Sequence, residues 1–276
     1  MQRRFGRVGR LVALCITVGG ILDPSVAGAF HSDQQRITAG TAYTLGESSD
    51  WKVGLWSAEY AAHRRLDVGT YVWPWLFRVA NWGVKYEYRF SDSLSVGPRL
   101  HLFRLDVQKL NPDAQPVKIA AIPFELNGSY RWSDYTASLQ AIYTYIHVEG
   151  SLEEGALEGA AAISNLQLVS TLEYRWTKVT ALWLRLRYLA YQWQPSASAV
   201  YVLHPNDFTT VEVHGAAEVQ MFDVSHAYSI VPGVQWSWET FNLRAGLGYG
   251  NYNLGPVNFV VPRKTLVPEF DLFWRW

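Results

Sequence analysis

The sequence predicts an all-β fold: a closed antiparallel transmembrane barrel of about twelve strands, joined as an up-and-down meander. Three observations carry this. Apolar and charged residues alternate with a period of two over segments of ten or more residues, and the connections between segments alternate short and long. Beyond the N-terminus no apolar run is long enough for a helix to cross a bilayer, although 15% of the residues are aromatic and 13 are Trp. Alternating strands combine many rings with no long apolar run.

The first residues lie outside this pattern. "MQRRFGRVGR" is basic, "LVALCITVGGIL" is apolar but short, and "AGA" at 27–29 is a small-x-small cleavage site. Residues 1–29 are expected to be a secretory signal peptide cut after Ala29, leaving 30–276 as the barrel. Cys15, the single cysteine, sits in the apolar stretch, where Leu14 is too large for a lipoprotein signal. The Arg3–Arg4 pair reads as part of a plain basic region rather than a twin-arginine signal. The mature chain then has no cysteine, which excludes disulfides, thiol catalysis and cysteine metal sites. With 24 basic groups against 24 acidic ones, no long-range field recruits nucleic acid.

Strands are expected at about 36–46, 50–61, 66–77, 81–90, 94–107, 119–132, 135–148, 165–176, 179–193, 225–238, 241–252 and 266–276. In "NWGVKYEYRF" (81–90), Trp82, Val84, Tyr86, Tyr88 and Phe90 share one face, opposite Gly83, Lys85, Glu87 and Arg89. In "NLQLVSTLEYRW" (165–176), Leu166, Leu168, Leu172, Tyr174 and Trp176 oppose Gln167, Thr171, Glu173 and Arg175. Leu182, Leu184, Leu186 and Tyr188 oppose Trp183, Arg185 and Arg187. A ten-residue strand tilted by about 40° rises roughly 25 Å, the height of an outer-membrane apolar band. The oily face then meets lipid and the charged face lines the interior. In the first three segments either face fits the lipid side.

Turns after even-numbered strands are short: "AHRR", "SDS", "SD", "TK" and "ET". Those after odd-numbered strands lengthen, at 108–117, 149–164, 194–224 and 253–265. Short periplasmic turns opposite longer outer loops, with both termini on the periplasmic side, are expected of such barrels. Within 194–224, "AVYVL" and "TTVEV" suggest an extra hairpin above the membrane. The loop 149–164 carries Glu149, Glu153, Glu154 and Glu158, and "GALEGAAAISN" suggests a short helical turn.

Four segments end alike, in aromatic–Arg–aromatic: "YEYRFSD", "SYRWSD", "EYRWTK" and the terminal "FWRW". Tyr88, Phe90, Tyr130, Trp132, Tyr174 and Trp176 are expected as a periplasmic aromatic girdle at the headgroup level, with the intervening Arg facing inward. The final strand sets Phe270, Leu272, Trp274 and Trp276 against Glu269, Asp271 and Arg275. This ending resembles the last strand of bacterial outer-membrane β-barrel proteins, a porin-like class. The resemblance implies insertion by the outer-membrane assembly machinery, with Phe270, Leu272, Trp274 and Trp276 as the recognised side, and residence among the lipids of a Gram-negative outer membrane.

The expected lumen-lining set is Lys85, Glu87, Arg89, Arg99, Glu125, Arg131, Glu173, Arg175, Arg185, Arg187, Arg244, Glu269, Asp271 and Arg275. Two readings compete. Either these charges pair and fill a narrow barrel, or the Arg residues line a porin-like passive channel for small, anionic solutes. Arg185 and Arg187, unpaired within their own strand, are the expected substrate-facing pair. A third reading is a non-transporting barrel that anchors or docks proteins of an envelope-spanning complex. Enzyme activity is not expected. The outer-membrane phospholipase family carries His-x-Ser, and none of His63, His101, His147, His204, His214 and His226 stands in that motif. For omptin-type proteolysis the spacing of His204, Asp207, His214, Asp223 and His226 is not diagnostic. Glu212 and His214, with Glu218 nearby, have metal-ligating types on one strand face, but a solvated loop is commoner, and neither metal nor cofactor is expected.

Overall fold

A computed structural model describes residues 41–46, 48–109, 117–152, 157–206, 209–218, 227–238, 240–251 and 264–276; the expected signal peptide lies outside them. The strands are β1 Trp51–Gly54, β2 Ser57–His63, β3 Leu66–Tyr71, β4 Ala80–Tyr86, β5 Tyr88–Arg89, β6 Leu94–Asp106 and β7 Val117–Trp132. They continue with β8 Tyr135–Leu152, β9 Leu157–Arg175, β10 Thr180–Asn206, β11 Thr209–Glu218, β12 Tyr228–Ser237, β13 Phe241–Asn251 and β14 Lys264–Arg275. Among the described residues one α-helix, α1 Val72–Leu76, follows β3.

Twelve strands form the wall in meander order, each antiparallel to the next. β14 closes the cylinder on β1 through Lys52↔Arg275, Val53↔Trp274 and Gly54↔Phe273. β5 continues β4 along β6, and β11 pairs with the distal part of β10 as the extra hairpin. Closure leaves no free edge around most of the wall. The faces are inverted relative to a soluble sheet. Leu126, Leu139, Leu172 and Leu184 are exposed, while Asn127, Ser138, Thr171 and Glu173 are buried. So broad an apolar exterior is stable only against lipid. In β1 to β3 the outward set is Trp51, Val53 and Val68, with Ser57 and Asp67 buried inside.

The structure corrects several expectations. Of 36–46, the described part is not a wall strand: Thr41, Ala42, Tyr43, Thr44 and Leu45 are buried inside the barrel. The segment 50–61 breaks at Leu55 and Trp56 into β1 and β2, so the count of twelve survives by one strand lost and one gained. The segment 66–77 stops at Tyr71, because Pro74 supplies no ladder donor and fits the first turn of α1. The ladder also breaks at Glu87, whose N–H goes to Arg65 O. Most of the expected loop 149–164 is strand, and its "GAAAIS" stretch pairs with β8 rather than forming a helical turn (Glu149↔Ala160, His147↔Ala162). Cross-strand pairing there overrides the helix propensity of alanine.

Candidate functional site

The short-turn end of the barrel is stopped by the chain itself. Ala42 N donates to Ser129 Oγ at 2.8 Å. Thr44 donates to Glu87 Oε2 from its backbone N at 3.1 Å and from its hydroxyl at 2.9 Å. Leu45 N donates to Asp67 at 3.0 Å, the Lys85 ammonium donates to Tyr43 O, and Arg275 donates to Leu45 O at 3.1 Å. Side chains of the wall thus supply the partners that a neighbouring strand would give, and buried backbone groups need them. Gly97 permits the approach, since a Cβ there would lie 2.7 Å from Ala42 O. Burial pushes the Tyr43 phenol up, against the opposing pull of Arg131.

Three of the four repeated arginines are tied to this plug. Arg131 lies 5.5 Å from the Tyr43 ring centroid and donates to Asp92 O. Arg89 pairs at 3.2 Å with Glu87, the carboxylate that holds Thr44. Arg275 reaches Leu45, and Arg175 pairs with Asp134 in the neighbouring turn at 2.9 Å. Outside them, Tyr88, Phe90, Tyr130, Trp132 and Trp176 are exposed. Tyr130, Trp132, Tyr135 and Tyr174 form a continuous chain of stacked rings, with centroids 5.7, 5.5 and 4.8 Å apart. On β14, Phe270 and Trp276 are exposed, Leu272 and Trp274 half-buried.

Beside the plug lies a cavity of about 150 Å³, lined by Lys52, Glu59, Asp67, Lys85, Arg99 and Glu125 with Tyr43 and Leu45 of the plug. Glu59 takes Lys52 at 3.5 Å and Arg99 at 3.7 Å, while Glu125 stands opposite Arg99 in the ladder. Across the interior, Arg244 pairs with Glu173 at 3.2 Å and packs 4.2 Å from the Trp183 ring centroid. Arg185 and Arg187 share one carboxylate, Glu269 of β14, at 2.9 and 3.0 Å. The expected substrate-facing pair is therefore already engaged. One oxygen of Asp271 has no hydrogen-bond partner among the described residues. A second cavity of about 380 Å³ carries Arg187 with the amides of Asn165, Gln167, Gln192 and Asn251 and the hydroxyls of Thr144 and Ser229.

Sequence reasoning missed the plug, because "TAYTL" reads as a short strand and nothing local marks it as threading a lumen. It also missed Asn81, buried beside the point where β3 leaves the wall. Its amide accepts from Tyr71 N at 2.6 Å and donates to Tyr71 O at 3.0 Å, and its side-chain oxygen lies 3.1 Å from His101 Nε2. His147 pairs with Glu149 at 2.9 Å. The side chains of Glu153, Glu154, Glu158, His204, Asp207, Glu212, His214, Glu218, Asp223 and His226 lie outside the described residues.

No protein-family model matches the sequence, and no curated protein matches it significantly. Among solved structures, the chain is similar to the Pseudomonas putida toluene transporter TodX, with 11% identity over 82% of this chain and 65% of that one and a TM-score of 0.45. A TodX monoaromatic hydrocarbon channel mutant gives 12% identity, 85% and 68% coverage and a TM-score of 0.42. The translocator domain of autotransporter NalP from Neisseria meningitidis gives 11%, 82%, 85% and 0.31. The chain thus spans about two-thirds of the length of the TodX chains, and at such scores the likeness assigns neither family nor cargo.

Proposed function

We propose that this chain is an integral barrel of a Gram-negative outer membrane and acts, without enzymatic chemistry, as a channel for small solutes. In the conformation described, its short-turn end is closed by Thr41–Leu45. The observation that supports a channel over an inert anchor is the way the plug is held. Its backbone bonds go to Ser129, Glu87, Asp67, Lys85 and Arg275 side chains, so withdrawing it breaks no strand pairing. Behind it lie water-sized spaces and a charged interior. A preference for anions is supported by the larger cavity, whose lining includes Arg187 and, among the described residues, no carboxylate.

Planar-bilayer recording tests this. The full chain is expected to show small or infrequent steps, and a chain lacking residues 41–45 steady steps several-fold larger, with anions passing more readily than cations. Silence from both would sink the channel reading and favour a docking role in an envelope complex.

A further inference from the structure

The wall is not equally tall all round. β1 has four residues, and its hairpin with β2 turns back at Leu55 and Trp56. Leu55 N donates to Leu272 O at 2.9 Å, and above that level no described strand pairs with this side of β14. Backbone groups on one strand alternate between its two neighbours. Those of Phe270, Pro268 and Leu266 therefore point at the missing pairing. The edge is chemically blunted: Pro268 has no N–H to leave unpaired, and the Trp56 indole donates to Phe270 O. On the far side β3 leaves the wall at Tyr71, where the Asn81 amide replaces the lost ladder bonds.

This gap lies within the apolar band. On the neighbouring strand, Phe241 and Tyr249 face Trp274 and Leu266 across the ladder. They mark the ring levels of the band, roughly 20 Å apart for strands tilted by about 40°. The unpaired stretch takes up about the upper 10 Å of it by the same rise. Its margins are oily: Leu55, Trp56, Trp73, Trp75, Leu76 and Phe77 are exposed, Leu76 at 70%. Directly inside, between Pro268 and Phe270 in sequence, Glu269 holds Arg185 and Arg187, two guanidiniums on one carboxylate.

We propose that this gap is a side opening at which an anionic amphiphile binds, its head at Arg185 and Arg187 and its acyl chain along the exposed rings toward lipid. The proposal rests on the membrane-channel reading above and names a substrate class for it. Cavities lined mainly by charged, amide and hydroxyl groups do not suit an acyl chain, whereas a break in the wall beside a cationic pair meets both halves of such a molecule.

The test is photolabelling of the full chain, reconstituted in phosphatidylcholine vesicles, with a hexadecanoate carrying a diazirine near its tail end. Saturable labelling concentrated at 55–56, 72–77 and 266–270 is expected, suppressed by unlabelled hexadecanoate and not by hexadecanol. Glu269→Gln, which frees both guanidiniums, should tighten competition several-fold, and Arg185→Gln with Arg187→Gln should weaken it at least tenfold. Label spread evenly over outward residues such as Leu139 and Leu172, or equal competition by the alcohol, would overturn the proposal. The wild-type result stands even if the Arg variants fail to fold. Conducting barrels without localised label remove the side opening and spare the channel; localised label with silent bilayers does the reverse.

Discussion

Leu139→Arg separates a lipid-facing wall from a solvated one. Leu139 lies on β8 midway between Tyr135 and Tyr143, four residues from each, and is 58% exposed. In water an Arg there would change stability by about 0.5 kcal/mol or less. At the centre of an apolar band it costs about 2–4 kcal/mol, falling to about 0–1 kcal/mol near the ring levels. Leu266, beside Tyr249 in the ladder and 59% exposed, supplies the shallow comparison. Reversible denaturant unfolding into lipid vesicles should show Leu139→Arg shifting the folding constant by about 30- to 900-fold, at 1.36 kcal/mol per decade. Leu266→Arg should shift it less than about tenfold by the same conversion. Equal effects at the two sites, or none at Leu139, would refute the inverted arrangement of faces.

Glu173→Leu should destabilise the barrel by about 3 kcal/mol, because it strands the buried Arg244 guanidinium. Adding Arg244→Leu should recover most of that loss in the same unfolding assay. Gly83→Ala places a Cβ 2.1 Å from His101 Nδ1; the ring must move, at a cost of about 1–3 kcal/mol, lowering the temperature at which the barrel opens in SDS gels. Removing Trp276 deletes both backbone bonds to Trp51 and the final ring of the expected assembly signal, and should sharply reduce the heat-resistant, membrane-inserted fraction on expression.

Apart from 149–164, the wall from residue 80 onward was legible because burial enforces alternation on both faces. A lipid-facing Leu186 and a lumen-facing Arg187 cannot exchange without flipping the whole strand. Three of the five short turns, "SDS", "SD" and "TK", were legible for a related reason, since each follows an aromatic–Arg–aromatic ending. The region 36–77 was not legible. There "TAYTL" and "WKVGLWSAEY" offer local patterns compatible with a strand, and only carboxylates far along the chain, Asp67 and Glu87, draw Thr44 and Leu45 inside. The same limit applies to the ionic partners. Sequence spacing placed Arg185 and Arg187 on the inner face, but Glu269 is 84 residues from Arg185 and meets it only once the cylinder closes.

The seam between first and last strands has one further consequence. Three paired positions join β1 to β14, against sixteen joining β7 to β8. The β1–β2 ladder is equally short but is backed by the covalent turn at Leu55 and Trp56, so unzipping under load begins at the seam and leaves the remaining staves upright. A short fastening is also quick to complete, and release of the newly made cylinder from whatever holds its two ends apart requires little more than one small hairpin to click into place.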